Sequence, residues 1–162
     1  MSNLYNFKGK VALVTGSSSG IGASTAIHFA KFGCQVVITG RNQQRLQKVF
    51  DDCKKAAIEG SFKTSNPVIQ LVGDISDLEF CKKLIKTTID TFAKIDILVN
   101  NAAFGASSSI YDAKLLENYD KMMQTNLKSV IALTQLAVPH LEKTKGVIIN
   151  VSSAMKPVPV II

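Results

Sequence analysis

The densest chemistry in this 162-residue chain lies in eight residues, Thr15-Gly16-Ser17-Ser18-Ser19-Gly20-Ile21-Gly22. Three glycines so spaced let a strand turn sharply, let backbone approach a pyrophosphate and let the next helix pack on the strand. The start of that helix offers free N–H donors to an anion. The same stretch contains Gly16-Ser17-Ser18-Ser19-Gly20, a G-x-S-x-G pattern that could present Ser18 as a hydrolytic nucleophile. Such an elbow needs earlier strands to build an oxyanion loop and a histidine on a late loop. Only 15 residues precede Gly16, and His28 and His140 both fall in helical stretches, so hydrolysis at Ser18 stays a remote alternative. Ser153-Ala154-Met155-Lys156 matches S-x-x-K by chance, because its Ser-Asp-Asn and Lys-Thr-Gly partners are missing.

Cys34, Cys53 and Cys81 are widely spaced and odd in number, which reads as buried, reduced thiols and a cytoplasmic setting. The two histidines share no ligand spacing with them, so no metal site is expected. The formal charge is +7, and residues 1–60 hold eight basic against three acidic side chains. There is no Trp and no block of five basic residues interleaved with aromatics, so nucleic acid is not expected as a partner. An anionic small ligand accounts for the asymmetry better. No apolar run approaches the ~18 residues of a membrane span, and the first residues do not read as a signal peptide.

The elements that must position these residues follow from apolar spacing. Residues 10–15 form a β-leaning run ending at the glycines, and Ile21, Ala26, Ile27, Phe29 and Ala30 give a helix stopped at Gly33. Residues 34–39 make a second strand. From Asn42, the positions Leu46, Val49, Phe50, Cys53 and Ala57 share one helical face. After a loop over 60–67 come a strand at 68–72 and a capping box, Ser76-Asp77-Leu78-Glu79. The box starts a helix with Leu78, Cys81, Leu84, Ile85, Ile89 and Phe92 inward. A strand at 95–99, one long helix over about 118–141 and a strand at 146–151 complete the pattern. Val- and Ile-rich strands with little polar alternation are buried on both faces. The expectation is a single α/β domain, a Rossmann-type doubly wound parallel sheet of which the first five strands are present.

Asp74 follows the third strand, Asn100-Asn101-Ala102-Ala103 the fourth, Asn126 stands in the long helix, and Asn150-Val151-Ser152-Ser153 ends the fifth. With the glycine turn, this order resembles the classical short-chain dehydrogenase/reductase family, from about Phe7 to Ser153. The resemblance implies that Gly16, Ser18, Ser19, Ile21 and Gly22 line the cofactor pyrophosphate. It places Asp74 and Ile75 beside the adenine, and Asn101 and Ala102 along the cofactor. Ala103 stands where the family usually has Gly. At the end of the second strand an acidic residue would hold a ribose 2′-OH, whereas this chain has Thr39-Gly40-Arg41, which resembles members preferring NADP(H) over NAD(H). Arg45 and Lys48 are expected to be solvated.

Hydride delivered to a carbonyl leaves an alkoxide, which needs a proton donor and a hydrogen bond to hold the oxygen. By resemblance Ser153 holds that oxygen. Asn126, expected to be buried in the helix interior, orders a relay water. The family's Tyr and the Lys four residues after it have no match, since Gly9, Leu115 and Met123 follow Tyr5, Tyr111 and Tyr119 at that spacing. The sequence therefore looks like the first part of a family member, a C-terminally incomplete NAD(P)-binding domain over residues 1–162 that is inactive alone. Its full-length parent would act on a small carbonyl or alcohol. A non-catalytic nucleotide-binding or interaction protein is the alternative. Residues 147–151 would form an open sheet edge, and Met122, Met123, Val130, Ile131 and Leu133 an exposed helical patch. Pro157 and Pro159 deny the tail a regular ladder, so self-association is expected.

Overall fold

The first strand run, β1 (Val11–Val14), packs from both sides. In the computed structural model, which describes residues 6–60 and 66–153, Ala12 and Val14 join a core on one face of the sheet while Leu13 joins a second core on the other. A strand whose successive side chains point to opposite faces, both covered, must be apolar throughout. The chain continues through α1 (Gly20–Lys31), β2 (Gln35–Gly40), α2 (Gln43–Glu59), β3 (Val68–Val72), α3 (Leu78–Phe92) and β4 (Ile97–Asn100). It then forms α4 (Leu115–Met123), a π turn (Gln124–Lys128), α5 (Ser129–Thr144) and β5 (Val147–Asn150). All neighbouring strands pair in parallel in the order β3-β2-β1-β4-β5. The expected Rossmann-type α/β sheet is therefore present.

Ala23, Ala26 and Ala30 of α1 and Leu46, Val49 and Cys53 of α2 cover one face; Cys81 and Leu84 of α3 and Leu133, Ala137 and Leu141 of α5 cover the other. The three thiols are buried and free, and burial raises that of Cys34 to about 12, with the Asp96 carboxylate adding to it. At the opposite end of the sheet from the glycine turn, Asp96 is 3% exposed. Its carboxylate accepts from the Val11 N–H and Lys10 Nζ, both at 2.9 Å, and lies 3.1 Å from Lys94 Nζ. Its backbone N–H donates to the Val11 carbonyl and its carbonyl accepts from Val147 N–H, so one residue joins the starts of β1, β4 and β5.

Four expectations are corrected. Ser76 does not cap α3; Asp77 does, accepting from the Glu79 N–H at 2.9 Å, while the Ser76 N–H and side chain are both hydrogen-bonded to Asp74. Leu78, one residue into the helix, is 48% exposed rather than inward. The long helix begins at Leu115, ends at Thr144 and is interrupted by the π turn. Leu133 belongs to the core at 0% exposure, while Met123 and Ile131 are exposed and Met122 and Val130 half-buried. The tail at 157–162, Lys156 and residues 61–65 of the expected loop lie outside the described residues.

Candidate functional site

Because the strands are parallel, all their C-terminal ends open on one side, and the strand order reverses between β1 and β4. A crevice at such a reversal is where open α/β sheets take ligands. The glycine turn leaves β1 on one side of it and residues 101–103 leave β4 on the other. A cavity of about 430 Å³ lies there, bounded by Gly16, Ser18, Ser19, Ile21, Gly40, Arg41, Asp74, Ile75, Asn101 and Ala102. Gly40 apart, those are the residues expected to touch a cofactor, and of that set only Gly22 is missing. Gly22 is buried beneath the turn, where a Cβ would stand 2.5 Å from the Gly16 carbonyl oxygen, so it serves close packing.

The turn keeps its open form for local reasons. Gly16 and Gly20 have φ of +63° and +56°, which side-chain-bearing residues rarely adopt. A Cβ on Gly16 would lie 2.6 Å from Ala102 Cα, whereas one on Gly20 would meet nothing within 4 Å. Ser19, the N-cap of α1, makes no side-chain cap bond, and no acidic residue stands in the first turn. Helices α2 and α3, by contrast, are capped by the side chains of Asn42 and Asp77. The start of α1 thus keeps donors and positive potential facing the cavity.

Two polar residues of the glycine motif, to which the sequence assigns no role of their own, hold this turn in place. Thr15 is 1% exposed, and its hydroxyl oxygen accepts from the N–H groups of Asn101 and Ala102 at 3.0 and 3.1 Å. Ser17 is fully buried; its hydroxyl donates to the Val14 carbonyl and accepts from the Thr39 N–H, each at 2.9 Å. Its own N–H donates to the Thr39 carbonyl at 3.0 Å. Asn101 Nδ2 completes the stitching by donating to the Thr15 and Gly16 carbonyls at 2.9 and 3.2 Å. Their only signal in the sequence is position, a hydroxyl on each side of the first glycine. Thr125, also unforeseen, lines the far wall.

Arg41 Nη1 lies 3.5 Å from Asp74 Oδ2 across the mouth of the cavity, both side chains well exposed. Burial works against ionisation of Asp74, but the backbone and side-chain hydrogen bonds from Ser76 and the Arg41 guanidinium outweigh it and hold the carboxyl below its usual value. An exposed pair of this kind contributes ~1 kcal/mol or less, so Arg41 is available to a stronger anion. Arg45 is exposed as expected yet also borders the cavity, while Lys48 does not. Neither His28 nor His140 lines it, so no histidine stands there as a general base for Ser18.

Asn126 and Ser153 do not line this cavity. Asn126 is exposed in the π turn, a correction to its expected burial. Its Oδ1 accepts from the Phe104 N–H at 2.7 Å and its Nδ2 donates to the Phe104 carbonyl at 2.8 Å. Both side-chain atoms therefore fasten the loop after β4. Gln124 Nε2 donates to the Ser76 carbonyl at 2.7 Å, so the π turn grips the loops after both β3 and β4. Ser153 is exposed, three residues beyond β5, at the same end of the sheet as the glycine turn.

Residues 10–162 match the family model described as short chain dehydrogenase. The Arabidopsis thaliana protein named 11-beta-hydroxysteroid dehydrogenase-like 2 is 36% identical over 154 residues, covering 95% of this chain and 48% of that protein. Glucose dehydrogenase of Caenorhabditis elegans, solved in the apo form, is 42% identical at a TM-score of 0.75, covering 91% of this chain and 56% of that one. A short-chain dehydrogenase/reductase of unknown function from the same organism, solved with cofactor, is 36% identical at a TM-score of 0.81, over 91% and 54% of the two chains. The chain spans about half the length of the curated relatives it matches.

Proposed function

The chain belongs to the short-chain dehydrogenase family, and from that premise we propose that it is the NADP(H)-binding part of an oxidoreductase acting on an alcohol/carbonyl pair. Residues 1–162 would form one NAD(P)-binding domain, cytoplasmic on the strength of its three buried free thiols. The relatives are named for compounds as unlike as a hydroxysteroid and glucose, so the proposed substrate is a small carbonyl or alcohol without further specification.

The cofactor, when bound, supplies or accepts the hydride. The open glycine turn and the uncapped start of α1 fit its pyrophosphate, with Gly16, Ser18, Ser19 and Ile21 at the wall and Gly22 packing beneath. Asp74 and Ile75 would flank the adenine, and Asn101 and Ala102 the length of the dinucleotide. Ser153 is the candidate catalytic residue that would hold the carbonyl oxygen. Asn126 is a positioning residue, because its amide is engaged by Phe104 and fixes the loop that leads from Ala102. Among these 162 residues no Tyr is followed four positions on by Lys, so the chain on its own would bind nucleotide without turnover.

One observation carries the preference for NADP(H): at the end of β2 the cavity wall has Gly40 in place of an acidic residue, followed by the guanidinium of Arg41, which a 2′-phosphate would draw from its exposed pair with Asp74. A charge-assisted contact of this kind contributes about 1.5–3 kcal/mol, more than the exposed pair with Asp74 that it would replace. Calorimetry should therefore show NADPH binding tighter than NADH, and Arg41→Ala weakening NADPH by roughly tenfold or more while changing NADH little. Equal losses for both cofactors, or tighter NADH binding by the wild type, would remove the preference.

A further inference from the structure

We propose that Gln124 is a positioning residue that ties the adenine end of the nucleotide site to the loop after β4, so that a ligand held near Asp74 steadies Phe104 through the π turn. The proposal rests on the nucleotide-binding reading above. Asp74 borders the cavity, and its Oδ1 accepts from the Ser76 N–H at 2.9 Å. The Ser76 carbonyl in turn accepts from Gln124 Nε2 at 2.7 Å, in a partly buried bond. Two residues on, both side-chain amide atoms of Asn126 hold the backbone of Phe104, at 2.7 and 2.8 Å. A continuous series of short hydrogen bonds thus runs from the cavity wall to a loop that belongs to a different strand.

The turn is built for such a link. Residues two apart along a helix face different ways, so Gln124 and Asn126 can reach separate loops. Thr125 between them lines the nucleotide cavity, and its carbonyl accepts from Ser129 Oγ at 2.6 Å, which roots the turn in a buried residue. A second cavity of about 450 Å³ has Ser76, Phe104, Gln124 and Thr125 among its walls. The loops after β3 and β4 therefore face each other across open space, and Gln124 and Asn126 bridge it. A ligand that stills Asp74 and Ser76 removes motion from the anchor of Gln124, so less entropy is lost in keeping the turn, and with it Phe104, in place.

Adenosine 2′,5′-bisphosphate tests the link, because it carries the adenine end of the cofactor and no nicotinamide half to touch the loop directly. Bound to the full chain, it should slow hydrogen exchange at the Phe104 amide about fivefold or more. Gln124→Ala should bind it about as tightly in calorimetry, since Gln124 does not line the nucleotide cavity. In that variant the slowing should fall below about twofold, and Gln124→Lys, which returns a donor to the Ser76 carbonyl, should recover most of it. General stabilisation by the ligand acts on wild type and variant alike, so the difference between them reads the link alone. If Gln124→Ala does not fold, Gln124→Glu, equal in length and without the donor, carries the same test. Equal slowing with and without Gln124, a loss in Gln124→Lys as deep as in Gln124→Ala, or no slowing in the ligand-bound wild type would overturn the link and leave the nucleotide-binding reading standing. No binding of the bisphosphate by the wild type would remove that reading and the link with it.

Discussion

Asp96 shows how one side chain can carry an electrostatic share of the fold far from the cavity. Burial works against its ionisation, yet the hydrogen bonds from Lys10, the Val11 N–H and Lys94 prevail and hold the carboxyl below its usual value. The unfolded chain then binds the proton more readily than the folded one, so stability from this group is present above the ordinary carboxylate value of ~3.9 and is lost as pH falls through the lower folded value. Asp96→Asn should cost about 1–3 kcal/mol at pH 7, a range set by losing charge-assisted hydrogen bonds to lysines that remain partly hydrated. The deficit against wild type should shrink near pH 3, and urea midpoints at the two values measure it. The same deficit at both would show that the charge is immaterial. At this scale the sequence was readable where chemistry needs a residue type, as at Gly16 and Arg41. It was silent on Thr15 and Ser17, whose partners Ala102 and Thr39 lie far along the chain and meet them only once the sheet has formed.

The strands were legible because each is a short apolar run, enclosed from both sides in β1 and β4, and β3 falls on the expected residues 68–72. The start of α3 was harder, since Ser76 and Asp77 are both good N-caps and the Ser76 side chain is instead engaged by Asp74. The π turn left no mark, because Gln124 to Lys128 contain neither Gly nor Pro and have the composition of any exposed helix. What distinguishes the turn is tertiary: Gln124 reaches Ser76, and Asn126 reaches Phe104. Asn126→Ala should therefore release the loop after β4, with a loss of about 1–2 kcal/mol for two well-hydrated hydrogen bonds. Hydrogen exchange should show the Phe104 amide losing protection while amides of β1 keep theirs. Unchanged protection at Phe104 would mean that the loop holds itself.

For the whole molecule, the two sides of the sheet end differently. At one edge β3 lies beside β2. At the other, β5 is the outermost strand among the described residues, and Val147, Ile148, Ile149 and Val151 are all exposed. Leu116, Tyr119, Met123, Leu127 and Ile131 add an exposed apolar stripe along α4, the π turn and α5. An apolar strand with one open edge and a contiguous apolar stripe both favour association. Light scattering at micromolar concentration should therefore find species larger than a monomer, with binding of an exposed-surface dye; a dye-silent monomer would contradict it. The same purified chain should reduce a panel of carbonyls at close to background, since general acid catalysis contributes ~10²–10⁴-fold and its donor has no match here. Robust NADPH turnover abolished by Ser153→Ala would show otherwise. The π turn also bears on how this sequence can change in length. Such a turn is an α-helical turn with one residue inserted, and it absorbs the insertion without rotating its flanks. Losing one codon within 124–128 would leave Leu116, Tyr119 and Met123 upstream and Leu133, Ala137 and Leu141 downstream facing as they do now. It would withdraw Asn126 from Phe104, so a deletion nearly silent for the sheet would be felt in the loop that borders the cavity.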